Sequence, residues 1–212
     1  MEPVKLGRPR GISASILQAV NHDGVLVYAY WDDRKMPIFE IFRANSVTVQ
    51  PGPASKADQV QAHLRPGTFV GVIHLLPTAN EDYREDSHYQ KLKVGYYTMR
   101  YGLAPDLDED NPSEVEQVVF LTPTDYDRSP ARIRDEGMLL RLSRKASHTN
   151  RPAVMNLATV DETRNDEFTL RNDDSGASIL QLKLPSKAKP YAPSKEMPLA
   201  ITLVSPGPGE EE

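Results

Sequence analysis

The sequence predicts a mainly β protein, an antiparallel β-sandwich (jelly-roll-like or Ig-like) of about ten strands with one amphipathic helix. Three observations carry that expectation. Short stretches of alternating apolar and polar residues, bounded by turn residues, recur along the chain, as half-buried strands require. Proline makes up 18 of 212 residues, about 8.5% against a usual ~5%, and runs from Pro3 to Pro208, leaving little room for long helices. Neither an internal repeat nor strand–helix–strand alternation is present, which disfavours a parallel sheet.

Residues 12–20 alternate Ile12, Ala14 and Ile16 against Ser13 and Ser15 and are expected as the first strand. Asn21-His22-Asp23-Gly24 follows, and Asp-Gly between apolar runs signals a hairpin. Residues 25–31, a polar turn at 32–35 and residues 36–43 continue an antiparallel meander, which 47–49 extend before the Pro51-Gly52-Pro53 break. Residues 69–76 (FVGVIHLL) are apolar on both faces, the mark of a central strand buried on two sides. Residues 80–93 are too hydrophilic for the core and are expected as a surface excursion. Residues 95–101 put Tyr97, Met99 and Tyr101 on one face and Tyr96, Thr98 and Arg100 on the other. Further strands are expected at 117–121, 153–157, 168–171, 178–184 and 199–204.

Residues 135–147 break this rhythm. At 100° per residue, Leu139, Leu142 and Ala146 share one helical face while Arg134, Arg141, Lys145 and His148 cluster on the opposite one. Asp135 fits the N-cap, and Pro152 stands beyond the end. The implied organisation is an N-terminal extension at 1–10, a single domain at 11–204 and a disordered acidic tail at 205–212 (SPGPGEEE).

Composition narrows the function classes. Thirty acids against 25 bases give a net charge of −5, which lacks the basic excess of a general nucleic-acid binder. No apolar run approaches the ~18 residues of a membrane span, and the N-terminus, MEPVKLGRPRG, carries no apolar signal-peptide core. With no cysteine, disulfides, thiolate metal sites and cysteine nucleophiles are excluded. The five histidines (His22, His63, His74, His88, His148) show no HxH or HExxH spacing, and no G-x-S-x-G, phosphate loop or S-x-x-K is present.

Two charged segments are candidate sites. Asp106, Asp108 and Asp110 match positions one, three and five of a twelve-residue calcium loop, with Asn111 at the turn, Pro112 at the seventh position and Glu114 at the ninth. Gln117 stands where the bidentate glutamate belongs, so a solvated acidic loop competes with a Ca²⁺ site. Segment 128–151 holds seven bases (Arg128, Arg132, Arg134, Arg141, Arg144, Lys145, Arg151) against Asp135 and Glu136, whereas 102–116 holds six acids and no base. Such polarity suits an anionic ligand or acidic partner at Arg134, Arg141, Lys145 and His148, against the ordinary reading of an amphipathic helix that shows its charges to water. Glu40 is expected to face outward on its strand, and His74 to be a hydrogen-bonded, half-buried histidine. Tyr28, Tyr30, Trp31, Tyr96, Tyr97 and Tyr101 supply rings for a carbohydrate platform or, by default, for the core.

At GYYTMRYGLAP (95–105), LSRKASHTNRPAVMNL (142–157) and KEMPLAITLV (195–204) the chain resembles an uncharacterised bacterial family of β-rich proteins usually made with an export signal. The resemblance implies an extracytoplasmic (periplasmic or secreted) β-rich domain and supplies no catalytic residue. The function expected is therefore a non-enzymatic binding or accessory protein, with no cofactor or with Ca²⁺ at Asp106, Asp108 and Asp110. The alternatives are a hydrolase acting on glycans through paired carboxylates, or a structural subunit of a cell-envelope assembly. The partners expected are an envelope protein or a glycan.

Overall fold

The computed structural model describes residues 1–5, 11–31, 34–50, 64–77, 82–105, 115–164, 166–174, 176–187 and 195–204. The protein is mainly β, and its described residues form thirteen strands and two helices. One sheet has seven strands in the order β1 (Glu2–Lys5), β2 (Asp23–Trp31), β3 (Arg34–Arg43), β5 (Phe69–Leu75), β8 (Gly95–Pro105), β9 (Val115–Pro123) and β10 (Val154–Asn156). Every neighbouring pair in it is antiparallel. β5, apolar on both faces, is the middle strand of the seven.

A second sheet runs β11 (Phe168–Asn172), β12 (Ser178–Lys187), β13 (Lys195–Val204), with β4 (Val47–Thr48) added in parallel beside β12. The two sheets share one buried apolar cluster, which takes Ile41, Ile73, Met99 and Leu121 from the first and Leu180, Leu182, Leu184, Leu199 and Ile201 from the second. The chain passes between them just after β10, where Leu157 bridges to Ile201 and the Ala158 N–H donates to the Ala200 carbonyl at 3.0 Å. Arg43 ties them again, pairing with Glu167 and donating to the Lys183 carbonyl at 3.0 Å. Among the described residues no helix is long and apolar enough to cross a membrane.

Several expectations are corrected. Residues 12–20 hold a helix, α1 (Ala14–Ala19), so there are two helices rather than one. Ile12, Ile16 and Val20 are the buried residues and Ala14 is exposed, so the operative spacing is four, which a short alternating stretch mimics. The Ser13 hydroxyl caps α1 by accepting from the Ile16 N–H at 3.3 Å. Asp23-Gly24 is no hairpin turn. The Asn21 side chain accepts from the Asp23 N–H at 3.0 Å, and the two residues then pair with Lys5 and Val4. That pairing makes residues 2–5 of the expected extension an edge strand.

The hydrophilic stretch at 80–93 contributes a hairpin, β6 (Tyr83–Glu85) and β7 (Lys91–Lys93), with Leu92 fully buried. Asp86, also buried, explains how so polar a segment packs. Its carboxylate accepts from the N–H groups of His88, Gln90 and Val154 at 2.9–3.0 Å and from the Gln90 amide at 2.9 Å. The hairpin thereby covers the free edge of β10, a short edge strand that would otherwise present unpaired backbone groups.

Candidate partner-binding surface

The helix expected at 135–147 is present as α2 (Glu136–Ser147), with the Asp135 side chain accepting from the Met138 N–H at 3.0 Å. Its buried residues are Leu139, Ser143, Ala146 and Ser147, and Leu142 is only half-buried. Leu139 packs with Ala104, Val118, Phe120 and Val154 of the seven-stranded sheet. A Cβ at Gly102 would lie 2.5 Å from the Phe120 ring and 3.3 Å from Leu139, so no larger residue fits where helix and sheet meet. The Ser143 and Ser147 hydroxyls donate to the Ala153 and Arg151 carbonyls, each at 2.7 Å, and fix the rotation of the helix.

That rotation decides where the bases go. Arg134, Arg141, Lys145 and His148 are all exposed, as are Arg128, Arg132, Arg144 and Arg151. Met138, 44% exposed, lies on the same stripe, three residues before Arg141. Among the described residues no ion pair uses Arg132, Arg134, Arg141, Arg144, Lys145 or Arg151. Arg144 and Lys145 suit the negative end of the helix dipole. Arg132 and Arg134 precede its positive end, where cations are disfavoured, so the basic character exceeds what the helix needs.

The surface extends beyond the predicted residues. The Thr149 hydroxyl donates to the Gln90 side-chain carbonyl at 2.6 Å, bringing the β6–β7 loop against the end of α2. Each side of this junction carries a non-glycine residue in left-handed backbone, Tyr89 at φ 56° and His148 at φ 55°. Tyr89, 49% exposed, had no sequence signal, since it stands in a stretch that periodicity assigns to solvent. His148 closes α2, its N–H donating to the Arg144 carbonyl at 3.2 Å, in a conformation that glycine adopts without cost. His148→Gly is expected to raise stability by about 0.5–1 kcal/mol, read as a higher urea midpoint at unchanged slope. A lowered midpoint would mean that the imidazole itself holds the helix end.

The acidic triplet Asp106, Asp108 and Asp110 lies outside the described residues, as does the tail at 205–212. Among the described residues no group of three or more His, Asp or Glu side chains converges on one point. Glu40 and His74 occupy adjacent strands of the seven-stranded sheet, in register with each other and with Tyr96. His74 Nδ1 and Glu40 Oε2 are 2.7 Å apart, and both side chains are about one-fifth exposed. The His74 ring stacks on Tyr96 with centroids 3.8 Å apart and planes inclined by 12°. Comparison with protein-family models, curated proteins and solved structures finds no match to the chain.

Proposed function

We propose that the chain is an exported β-sandwich that works without catalysis, as a binding or accessory protein, and that it docks an acidic protein surface through the outer face of α2. The observation that carries this reading is the set of six exposed cations left without an ion pair among the described residues of a chain whose net charge is −5. Five of the six are arginine, whose planar fork pairs carboxylates bidentately. Met138 and Tyr89 add the apolar and aromatic area typical of interface centres. A membrane-surface helix would turn its large apolar residues outward, whereas Leu139 faces the sheet. The sandwich reading draws on the apolar cluster common to both sheets, and export on the family resemblance alone.

Fluorescence anisotropy with a labelled oligoglutamate peptide tests the docking surface. Binding is expected at low salt, weakening as ionic strength rises. Arg141→Glu combined with Lys145→Glu is expected to weaken it at least about tenfold, with the melting temperature lowered by no more than a few degrees, the cost of a reversed charge in the last helical turn, because both side chains are exposed. Equal binding by the double variant, or equally tight binding to anionic phospholipid vesicles, overturns the assignment.

A further inference from the structure

Ile41, Ile73, Met99 and Leu121 of the seven-stranded sheet share an apolar cluster with the second sheet, and on the other face α2 packs through Leu139 and the 127–133 segment through its bonds to Arg100. On that other face one row of cross-strand neighbours, Phe42, Val72, Thr98 and Thr122, is fully buried. The next row, Leu26, Glu40, His74 and Tyr96, is only half-buried. Tyr28, two residues along from Leu26 and also half-buried, continues this open strip to the edge strand, where its hydroxyl donates to Glu2 at 2.6 Å. Lys35 pairs with Glu2 and sits over the Tyr28 ring, 3.9 Å from its centroid.

The chemistry of the strip is specific. Each carboxylate already has a partner on the strip, Glu2 in an ion pair with Lys35 and Glu40 in a hydrogen bond with His74. Hydrogen bonds from Lys35 and then Tyr28 hold the Glu2 carboxyl below its usual range and keep that pair ionised. Burial, and then the charge of Glu40, push the Tyr96 hydroxyl above its usual range, so it remains a donor at neutral pH. With His74 Nδ1 and Glu40 Oε2 engaged by each other, His74 Nε2 and Glu40 Oε1 have no partner among the described residues. Aromatic rings beside a hydroxyl donor, a carboxylate oxygen and an imidazole nitrogen suit a ligand with both C–H faces and hydroxyl groups. Five adjacent strands, from β1 to β8, at ~4.8 Å spacing make a track on the order of 20 Å long, enough for an extended chain.

We infer that the strip formed by Tyr28, Glu40, His74 and Tyr96 is a binding site for a neutral, hydroxyl-rich polymer, an uncharged polysaccharide segment. It is a separate surface from the basic face of α2, and its ligand differs from an acidic partner in having no charge. Saccharide recognition here is binding alone. Glu2 is held in an ion pair and Glu40 in a hydrogen bond to His74, and no residue of the strip is assigned to proton transfer.

Isothermal titration with cellohexaose, xylohexaose and maltohexaose, on the full chain, tests the site. At least one is expected to bind, with backbone amide shifts confined to β2, β3, β5 and β8. Tyr96→Ala and His74→Gln are each expected to weaken that binding about tenfold or more, while Arg141→Glu with Lys145→Glu leaves it unchanged. His74→Gln keeps a polar side chain of similar reach, so it reads the site even where Tyr96→Ala misfolds. Failure of all three sugars to bind, retention of affinity in His74→Gln, or release of reducing ends from the bound sugar overturns the inference.

Discussion

Asp127→Ala is expected to cost about 3–5 kcal/mol of stability, because it strands a fully buried guanidinium without its counter-charge. Arg100 projects from β8 and is 0% exposed. All five of its N–H donors are engaged. Nε donates to Asp127 Oδ2 at 2.5 Å, Nη2 to Asp127 Oδ1 at 2.9 Å and to the Ser129 carbonyl, and Nη1 to the Gly67 and Ala131 carbonyls at 2.9 and 3.0 Å. Asp127 Oδ2 also accepts from the Thr98 hydroxyl at 2.5 Å. With every donor satisfied, the pair is a structural rivet that fastens the 127–133 segment to the sheet just before α2 begins. Urea unfolding of Asp127→Ala should show the loss directly. The double replacement Arg100→Met with Asp127→Leu should cost less than Asp127→Ala alone, since it removes the buried charge along with its partner. A single variant within about 1 kcal/mol of the parent would refute the rivet, since that is the scale of an exposed pair.

Arg100 also shows why parts of this protein are legible in the sequence and others are not. Strand alternation puts Arg100 on the face of Tyr96 and Thr98, but its partner lies 27 residues away in a turn, and no spacing rule reaches that far. The basic face of α2 is legible because one helix fixes it: the apolar stripe of Leu139 and Ala146 determines which residues face water. The row of Glu40, His74 and Tyr96 depends on the register of three strands, which a sequence leaves open wherever both faces are partly apolar. Residues 12–20 read as a strand because Ile12, Ile16 and Val20 satisfy both a period of two and a spacing of four, and only packing selects the helix. Asp86 is a buried acid surrounded by backbone N–H groups. A hydrophilic segment gives no sign of such burial, since its stabilisation comes from the chain that folds around it.

Gly67→Ala is expected to be about as damaging as Asp127→Ala, by a different physical route. Gly67 has φ +82°, and a Cβ built there would lie 1.8 Å from the Ile133 carbonyl oxygen and 2.8 Å from the carbonyl carbon. The obstacle is backbone, which cannot swing aside as a side chain would. Gly67 is also held on three sides. Its N–H donates to the Tyr101 carbonyl at 2.7 Å, and its carbonyl accepts from the Ile133 N–H at 3.2 Å and from Arg100 at 2.9 Å. The left-handed conformation costs an alanine ~1–2 kcal/mol, and forcing the 127–133 segment away adds a packing penalty of about 1–3 kcal/mol. The sum, roughly 2–5 kcal/mol, corresponds to a melting-temperature loss on the order of 10 °C for a domain of this size. Gly176 provides the internal control, with φ +83° and no atom within 4 Å of an added Cβ. Gly176→Ala should pay only the conformational part, so its melting temperature should fall by a few degrees. Equal losses in the two variants would mean that the close approach of residues 67 and 133 contributes nothing, and that the clamp around Arg100 has room to spare.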